Sequence, residues 1–218
     1  MSLGKQAKTL TKGQLEAVCA LAAQTRCPTR NRALLLLSVR AGFRAKEIAG
    51  LTWTMITGRE GQMGRSIHLQ NAASKGRSGR ILPLHNELRA ALIDLYGESA
   101  PSPGDFVIRT ERSKRTSAQV IVNLFARWYE ILGFYGCSSH SGRRTFITNA
   151  ARKISTVDGS LRDVQILAGH SNLRTTQRYI EPNASARIKV VQLIGRPARA
   201  AVASRRAWHG PEGNFDQA

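Results

Sequence analysis

The stretch HSGRRTFITNAARKISTVDGSLRDVQILAGHSNLRTTQRY, His140 to Tyr179, decides how the chain is read. It sets two histidines, a run of arginines and a tyrosine into two predicted helical segments joined by a polar loop. His140 and Arg143 are three apart, a spacing that places them on one face of a helix. The second half, AGHSNLRTTQRY, brings His170 after Gly169 and then Tyr179 nine residues on. Chemistry on a phosphodiester needs this set of side chains. A guanidinium clamps non-bridging oxygens through paired N–H groups, an imidazole moves protons or donates hydrogen bonds, and a phenol can act as a covalent nucleophile.

The whole chain has the charge that such a substrate calls for. Thirty-three Lys and Arg stand against 14 Asp and Glu, a formal net charge of +19 over 218 residues. A well-solvated basic surface is the bland explanation, but an excess of this size points to a polyanion, nucleic acid first. No amphipathic basic stripe dominates, so a membrane surface is the weaker candidate. The longest strongly apolar run, Ala33 to Leu37, is too short to span a bilayer, and Met1 to Leu10 lacks the apolar core of a secretory signal. Cys19, Cys27 and Cys137 are odd in number and lack metal-ligand spacing, which fits ordinary thiols of a reducing cytoplasm. The length allows one well-buried domain or two small ones.

Upstream of the central stretch the chain reads as mostly helical. Thr11 to Gln14 has the form of a capping box, followed by Leu15, Val18, Leu21 and Ala22 at helical spacing. Pro28 suits a first helical turn, and the helix it opens carries Ala33 to Val39 before stopping near Gly42. That run is apolar on nearly all sides, so it is expected in the core, holding Arg44 just beyond its end. In AGFRAKEIAGL, Arg44 lies three residues before Glu47. Ser66 to Gln70 and Arg80 to Leu84 alternate as strands, joined by a Gly- and Ser-rich turn in SKGRSGRILPL that holds Lys75, Arg77 and, at its end, Arg80. Pro83 suggests an edge strand, and His68 is expected to be a plain surface or packing histidine.

A helix is expected from about His85 to Tyr96, then a short extended piece at Phe106 to Ile108. The charged loop Arg109 to Arg115, with Arg112, Lys114 and Arg115, is read as a phosphate-contacting track or a solvated link. Thr116 is expected to cap an amphipathic helix whose stripe is Val120, Leu124, Trp128 and Ile131, flanked by Ile121, Phe125 and Leu132. Trp128 and Phe125 are therefore core residues and not base-stacking platforms. Phe146 and Ile147 are expected to be buried, and Asn183 to cap a last helix with a stripe of Ile188, Val191 and Ile194. Arg196 to Ala218, poor in apolar residues, is expected to be a mobile basic tail.

His140-x-x-Arg143, Gly169-His170 and Tyr179, with Arg44 and Lys75 upstream, resemble the catalytic domain of the tyrosine recombinases, a group that includes phage integrases and Xer-type resolvases. The resemblance runs from about Leu10 to about Ile194. It implies a mainly helical fold with a small antiparallel β-hairpin, a catalytic domain over residues 10–195, and tails at 1–9 and 196–218. It implies that Arg44, Lys75, His140, Arg143 and His170 surround one phosphate, that Tyr179 is the nucleophile, and that Glu47 orients its neighbours. Among relatives the first histidine is the candidate base and the lysine the candidate acid. The product is a 3′-phosphotyrosine and a free 5′ hydroxyl, with no metal or other cofactor. Arg77, Arg80, Arg112, Lys114, Arg115, Arg144 and Arg174 are expected to touch DNA.

The implied partners are double-stranded DNA and further copies of the chain, a dimer on one site and a tetramer in the synapse. An accessory DNA-bending protein is a further candidate, and the implied location is the cytoplasm, on the nucleoid when DNA is bound. Only 43 residues precede Arg44, so the chain resembles short members without an N-terminal clamp domain, for which weak, salt-sensitive binding is expected. The link Lys153 to Ser160 is longer than usual in the family. Rival readings are a recombinase-derived DNA-binding protein that does not cleave, a type IB topoisomerase-like enzyme that nicks and reseals, and a general basic protein with chance motifs.

Overall fold

The computed structural model describes residues 6–70, 79–102, 104–180 and 184–194. Contacts divide the chain between residues 181 and 182. In the first unit, helix α1 spans Lys12–Ala23, α2 Pro28–Arg40 and α3 Ala45–Ala49. Strands β1 (Ser66–Leu69) and β2 (Arg80–Pro83) follow, then α4 (Asn86–Ser99), α5 (Ala118–Ile131), α6 (Ser141–Lys153), α7 (Leu161–Ala168) and α8 (Leu173–Gln177). The second unit contributes α9, Ala184–Leu193. The cap expected at Asn183 and the tail from Arg196 lie outside the described residues.

The first unit is built around α2. Pro28 occupies the start of the helix, where a missing N–H costs nothing. Every residue from Ala33 to Val39 is buried, because α1, α4 and α6 all pack on this helix. The chain leaves it through Gly42 at φ +65°, a left-handed conformation that a β-carbon disfavours, and the Phe43 N–H closes the turn on the Leu37 carbonyl at 3.1 Å. A substituted Gly42 would also drive its β-carbon into the Phe146 ring, 2.4 Å away. α1 begins with the expected capping box: Thr11 Oγ1 accepts from the Gln14 N–H and Gln14 Oε1 accepts from the Thr11 N–H.

The hairpin is antiparallel, with Ile67 opposite Leu82 and Leu69 opposite Arg80. Alternation sends Ile67, Leu69, Arg80 and Leu82 inward and His68 and Ile81 outward. His68 meets only Ser66 Oγ, at 3.1 Å, among the described residues. The turn itself, with Lys75 and Arg77, lies outside the described residues.

Two helix readings need correction. α4 starts where expected, with the His85 ring accepting from the Glu87 N–H, but runs three residues past Tyr96 to Ser99. α5 is capped by Ser117, whose hydroxyl accepts from the Val120 N–H. Thr116 instead is buried, and among the described residues its hydroxyl has no hydrogen-bond partner. The buried face of α5 is Ile121, Phe125, Trp128 and Tyr129, while Val120 and Ile131 are exposed. The expected stripe is rotated because α5 meets α3 and α1 through its other apolar edge. Trp128 and Phe125 are core residues as expected, with rings packed edge to face.

A separate small cluster of Ile147, Val164 and Ala168 joins α6 to α7, with Phe146, Ile154 and Tyr179 against it. Ile147 is fully buried, Phe146 only half-buried. The long link after α6 forms a 3-10 turn, Ile154–Val157, and reverses at Asp158 with φ +55°. Among the described residues, no helix is long and apolar enough to cross a membrane.

Candidate active site

The start of α3, strand β2, the start of α6 and the α7–α8 turn bring charged and aromatic groups to a common region, beside the Gly42 carbonyl beyond the end of α2. Glu47, in α3, has no exposed surface at all. Its carboxylate accepts from the Arg44 backbone N–H at 2.9 Å, from Arg44 Nη1 at 3.1 Å, and from Arg80 Nη1 and Nη2 at 2.9 and 3.3 Å. Arg143 Nη1 stands 3.9 Å from the same carboxylate. Burial alone would raise the Glu47 pKa. The Arg80 hydrogen bonds and charge, the Arg44 N–H and the Arg143 charge outweigh it and hold the carboxyl below its ordinary value.

Arg143 is itself buried, and donates from Nη1 to the Gly42 carbonyl at 2.6 Å and from Nη2 to the Ala168 carbonyl at 2.7 Å. Those bonds fix its planar fork between the end of α2 and the end of α7. Burial and then the Arg44 charge bring its pKa down to about 10, which still leaves it cationic at neutral pH.

α7 ends at Gly169, in the left-handed region at φ +61°. This reversal turns His170 back into the site, where it is 7% exposed. Its Nδ1 lies 2.9 Å from Thr176 Oγ1, and its carbonyl accepts from Gln165 Nε2 at 2.8 Å. The Tyr179 ring stacks on the imidazole with centroids 5.6 Å apart and planes at 23°. Burial, then the Arg143, Arg44 and Arg80 charges, push the His170 pKa down to about 4. His140, at the start of α6, moves in the same direction: loss of hydration, then Arg143 and Arg44, hold it below the ordinary imidazole value. Both rings are therefore neutral at pH 7.

His140, Arg143, Arg144, Arg178 and Tyr179 line one cleft of about 370 Å³, with Gln6, Ala7, Ser138 and Thr175. The tyrosine thus shares a cavity with the central histidine and arginine of its own chain. The sequence model of the phage integrase family matches residues 8–186.

The chain belongs to the phage integrase family.

Among curated members of the family, the chain is 30% identical to tyrosine recombinase XerC of Shewanella amazonensis over 186 residues, covering 82% of this chain and 59% of that protein. It is 27% identical to XerC of Herpetosiphon aurantiacus, covering 87% and 61%. The chain thus spans about three-fifths of the length of these relatives. Among solved structures it is similar to the XerA recombinase (TM-score 0.66, 21% identity, 90% of this chain and 67% of that one). It is also similar to the Tn1549 transposon integrase in complex with transposon right end DNA (TM-score 0.71, 17% identity, 88% and 67%). The mainly helical architecture with one small antiparallel sheet is the fold of tyrosine recombinase catalytic domains.

Arg44, Glu47, His140, Arg143, His170 and Tyr179 are brought together, while Lys75 and Arg77 lie outside the described residues. Arg80 does not fit its expected role. Its side chain is 4% exposed, because it shares a strand face with Leu82, and its guanidinium is held by Glu47 instead of facing solvent. Arg112, Lys114 and Arg115 are exposed. Their loop sits at the N-terminal end of α2, where Arg30 Nη1 donates to the Arg109 carbonyl. A 13-residue helix separates that end from Arg44, a distance of roughly 20 Å. Arg115 also stacks over Phe106 at 5.2 Å. Arg174 is exposed on α8. Arg144 meets Gln6 and lies over the Tyr179 ring at 5.8 Å.

Arg178, Thr176 and the residue 6–7 segment escaped the sequence reading. Arg178 directly precedes Tyr179, a signal that was available. The Gln6 contact joins residues 138 apart, and no local pattern announces it.

Proposed function

We propose that this chain cleaves and rejoins DNA strands through Tyr179, the covalent step of site-specific recombination. The observation that carries the reading is the position of Tyr179. Its ring stacks on His170 and opens into the same cleft as His140 and Arg143, within one chain. A phosphodiester is an anion, and attack by an oxygen nucleophile adds negative charge at the pentacoordinate phosphorus. Arg44 and Arg143 supply fixed cations there, worth far more in a partly dry cleft than in water. A base must be unprotonated before it works. His140, with its lowered pKa, meets that condition and would take the phenol proton. A neutral His170 whose Nδ1 accepts from Thr176 would carry its proton on Nε2 and donate it to a phosphate oxygen.

The Tyr179 oxygen forms its bond to phosphorus as the bond to the 5′ oxygen breaks. The 5′ oxygen leaves as a hydroxyl, with Lys75 the proposed proton donor. The ester retained in the 3′-phosphotyrosine lets a second 5′ hydroxyl reverse the step and complete strand exchange. Double-stranded DNA is the proposed substrate. XerH, bound to its difH substrate, and lambda integrase, as a dimer bound to a core site, are similar in fold to this chain. A dimer on each site, a tetramer in the synapse, an accessory bending protein and a cytoplasmic, nucleoid-bound location belong to the same proposal. So do further contacts from Arg77, Arg112, Lys114, Arg144 and Arg174.

Nicked duplexes whose short product strand diffuses away would trap the covalent state. The protein is incubated with a library of such duplexes, denatured, and the adducts are isolated and sequenced. An adduct formed by the native chain and abolished in Tyr179→Phe is expected. No adduct on any duplex, or one that survives in Tyr179→Phe, refutes the reading. Exchange between two captured sites then separates a recombinase from an enzyme that only nicks and reseals.

A further inference from the structure

The hairpin arginine that was expected on the surface has a different task. We infer that Arg80 is a positioning residue: with Arg44 it answers the negative charge of Glu47, so that Arg143 keeps its own charge for the phosphodiester, and it ties the His170 turn to the hairpin. This rests on the proposed strand cleavage for the roles of Arg44 and Arg143. The geometry of the cluster stands independently of it.

Three guanidiniums surround one buried carboxylate, and they share it unequally. Arg80 reaches Glu47 with two nitrogens, at 2.9 and 3.3 Å, while Arg143 stays at 3.9 Å, outside hydrogen-bond range. A fork with two N–H groups on one carboxylate combines charge neutralisation with two charge-assisted hydrogen bonds of fixed geometry. Arg143 is thereby left to donate to two carbonyls, which leave its net charge intact. Without Arg80, the buried carboxylate would keep only its two bonds from Arg44 and lose the other two, a costly under-compensation of a buried charge. With Arg44 already bonded, the guanidinium that can replace Arg80 is Arg143, which has to move only about an ångström to close the pair. That movement spends its charge on Glu47 and pulls its fork off the carbonyls that aim it.

The second tie runs through the backbone. Arg80 Nε donates to the Leu167 carbonyl at 3.0 Å, one residue before the carbonyl that holds Arg143. The left-handed Gly169 follows so closely that a β-carbon there would sit 2.6 Å from Arg80 Nη1. The Phe43 ring backs the guanidinium at 5.4 Å. Arg80 therefore links β2, the Arg44 turn and the turn that delivers His170. Its burial removes it from any DNA surface.

The test compares Arg80→Met, Arg80→Lys, Glu47→Gln and the double variant Glu47→Gln/Arg80→Met. Single-turnover cleavage is measured on a duplex captured by the native chain, with DNA affinity by anisotropy and thermal melting alongside. Arg80→Met is expected to slow cleavage roughly 10- to 100-fold, the loss that follows an ångström-scale misplacement. Affinity is expected to stay within about twofold, because the lost interaction acts in the transition state. Arg80→Lys should fall between the two. In the Glu47→Gln background no carboxylate is left to answer, so adding Arg80→Met should cost little further, and the double variant should cut faster than Arg80→Met alone. This second comparison holds even where Arg80→Met fails to fold.

Native-rate cleavage by folded Arg80→Met, or losses that add in full in the double variant, would overturn the proposal. A readout without DNA keeps it separate from the strand-cleavage reading. The His170 ring titration, followed by NMR, should move upward from about 4 when the Arg80 charge is removed. Absence of an adduct in the native chain would refute strand cleavage alone. A His170 titration unmoved in Arg80→Met or, should that variant not fold, no higher in the double variant than in Glu47→Gln alone, would refute the role of Arg80 whether or not the protein cuts DNA.

Discussion

Replacing His170 with glutamine is expected to flatten the acid side of the protein's stability curve. In the folded chain this ring titrates at about 4, against an ordinary value of 6.5. Between those two pH values the unfolded chain binds a proton that the native site refuses. Stability therefore falls as pH falls through this window; the loss due to this ring reaches its full size below about 4 and vanishes above 6.5. The proton-linkage expression gives a loss of about 1.4 kcal/mol at pH 5.5 and about 2.5 kcal/mol at pH 4.5. Solvent at the open edge of the cleft screens the arginine charges, which trims these to roughly 1 and 2 kcal/mol. Glutamine keeps a polar group near Thr176 but has no proton to gain. Urea unfolding of the native chain and His170→Gln at pH 7.5, 5.5 and 4.5 isolates the effect, since every other titrating group is common to both. The native chain should lose more stability than the variant, by those amounts. Parallel stability curves would refute the account of how burial and three guanidiniums act on this imidazole.

Other perturbations test the packing beneath the site. Gly142 lets α6 approach α2 so closely that a β-carbon would lie 2.2 Å from Ser38 Oγ and 2.9 Å from Val39 Cγ1, so Gly142→Ala should cost roughly 1–3 kcal/mol in a denaturant melt. Among the described residues the buried Ser38 hydroxyl has no hydrogen-bond partner, and Ser38→Ala should leave stability unchanged or raise it by up to about 1 kcal/mol; a loss above about 1 kcal/mol would refute this. Ile147→Ala should cost roughly 2–4 kcal/mol, with amide exchange quickening first in α7, which rests on the small Ile147 cluster; uniform quickening would refute separate support. Arg178→Ala should lower DNA affinity and reduce the slope of log affinity against log salt by roughly 1, whereas Arg115→Ala, its guanidinium stacked on Phe106, should change both by less; the reverse ranking would move the DNA track.

Much of this architecture was written locally. The apolar run Ala33 to Val39 named the central helix, Thr11 and Gln14 named the first cap, and the spacing of His140, Arg143, His170 and Tyr179 named the cluster. What failed did so for physical reasons that can be traced. α5 is apolar on two edges that share Trp128, and periodicity cannot say which edge the neighbours will cover. Thr116 and Ser117 are both cap formers, and only the position of the Val120 N–H chooses between them. Arg80 was misread because basic residues on a hairpin suggest DNA. Yet its strand parity was visible: in RILPL it shares a face with Leu82, and a strand face that buries leucine buries its neighbour two residues away. Glu47 offered the complementary hint, an acidic residue beside Arg44 in a very basic chain.

The arginines of the site have a structural task that cannot be separated from their chemical one. α7, which delivers His170, is joined to α6 by a cluster whose fully buried apolar residues, among the described ones, are Ile147, Val164 and Ala168. The remaining hold on the end of α7 is polar: Arg80 on the Leu167 carbonyl and Arg143 on the Ala168 carbonyl. Both guanidiniums also face the Glu47 carboxylate. Any change in the charge of the cluster therefore changes where the His170 turn sits, and with it the ring on which Tyr179 stacks. A phosphate entering the cleft would draw on the same guanidiniums. Its binding and the placement of the nucleophile are then one equilibrium, so substitutions at Glu47 should alter the stability of α7 and α8 as well as the rate of cleavage.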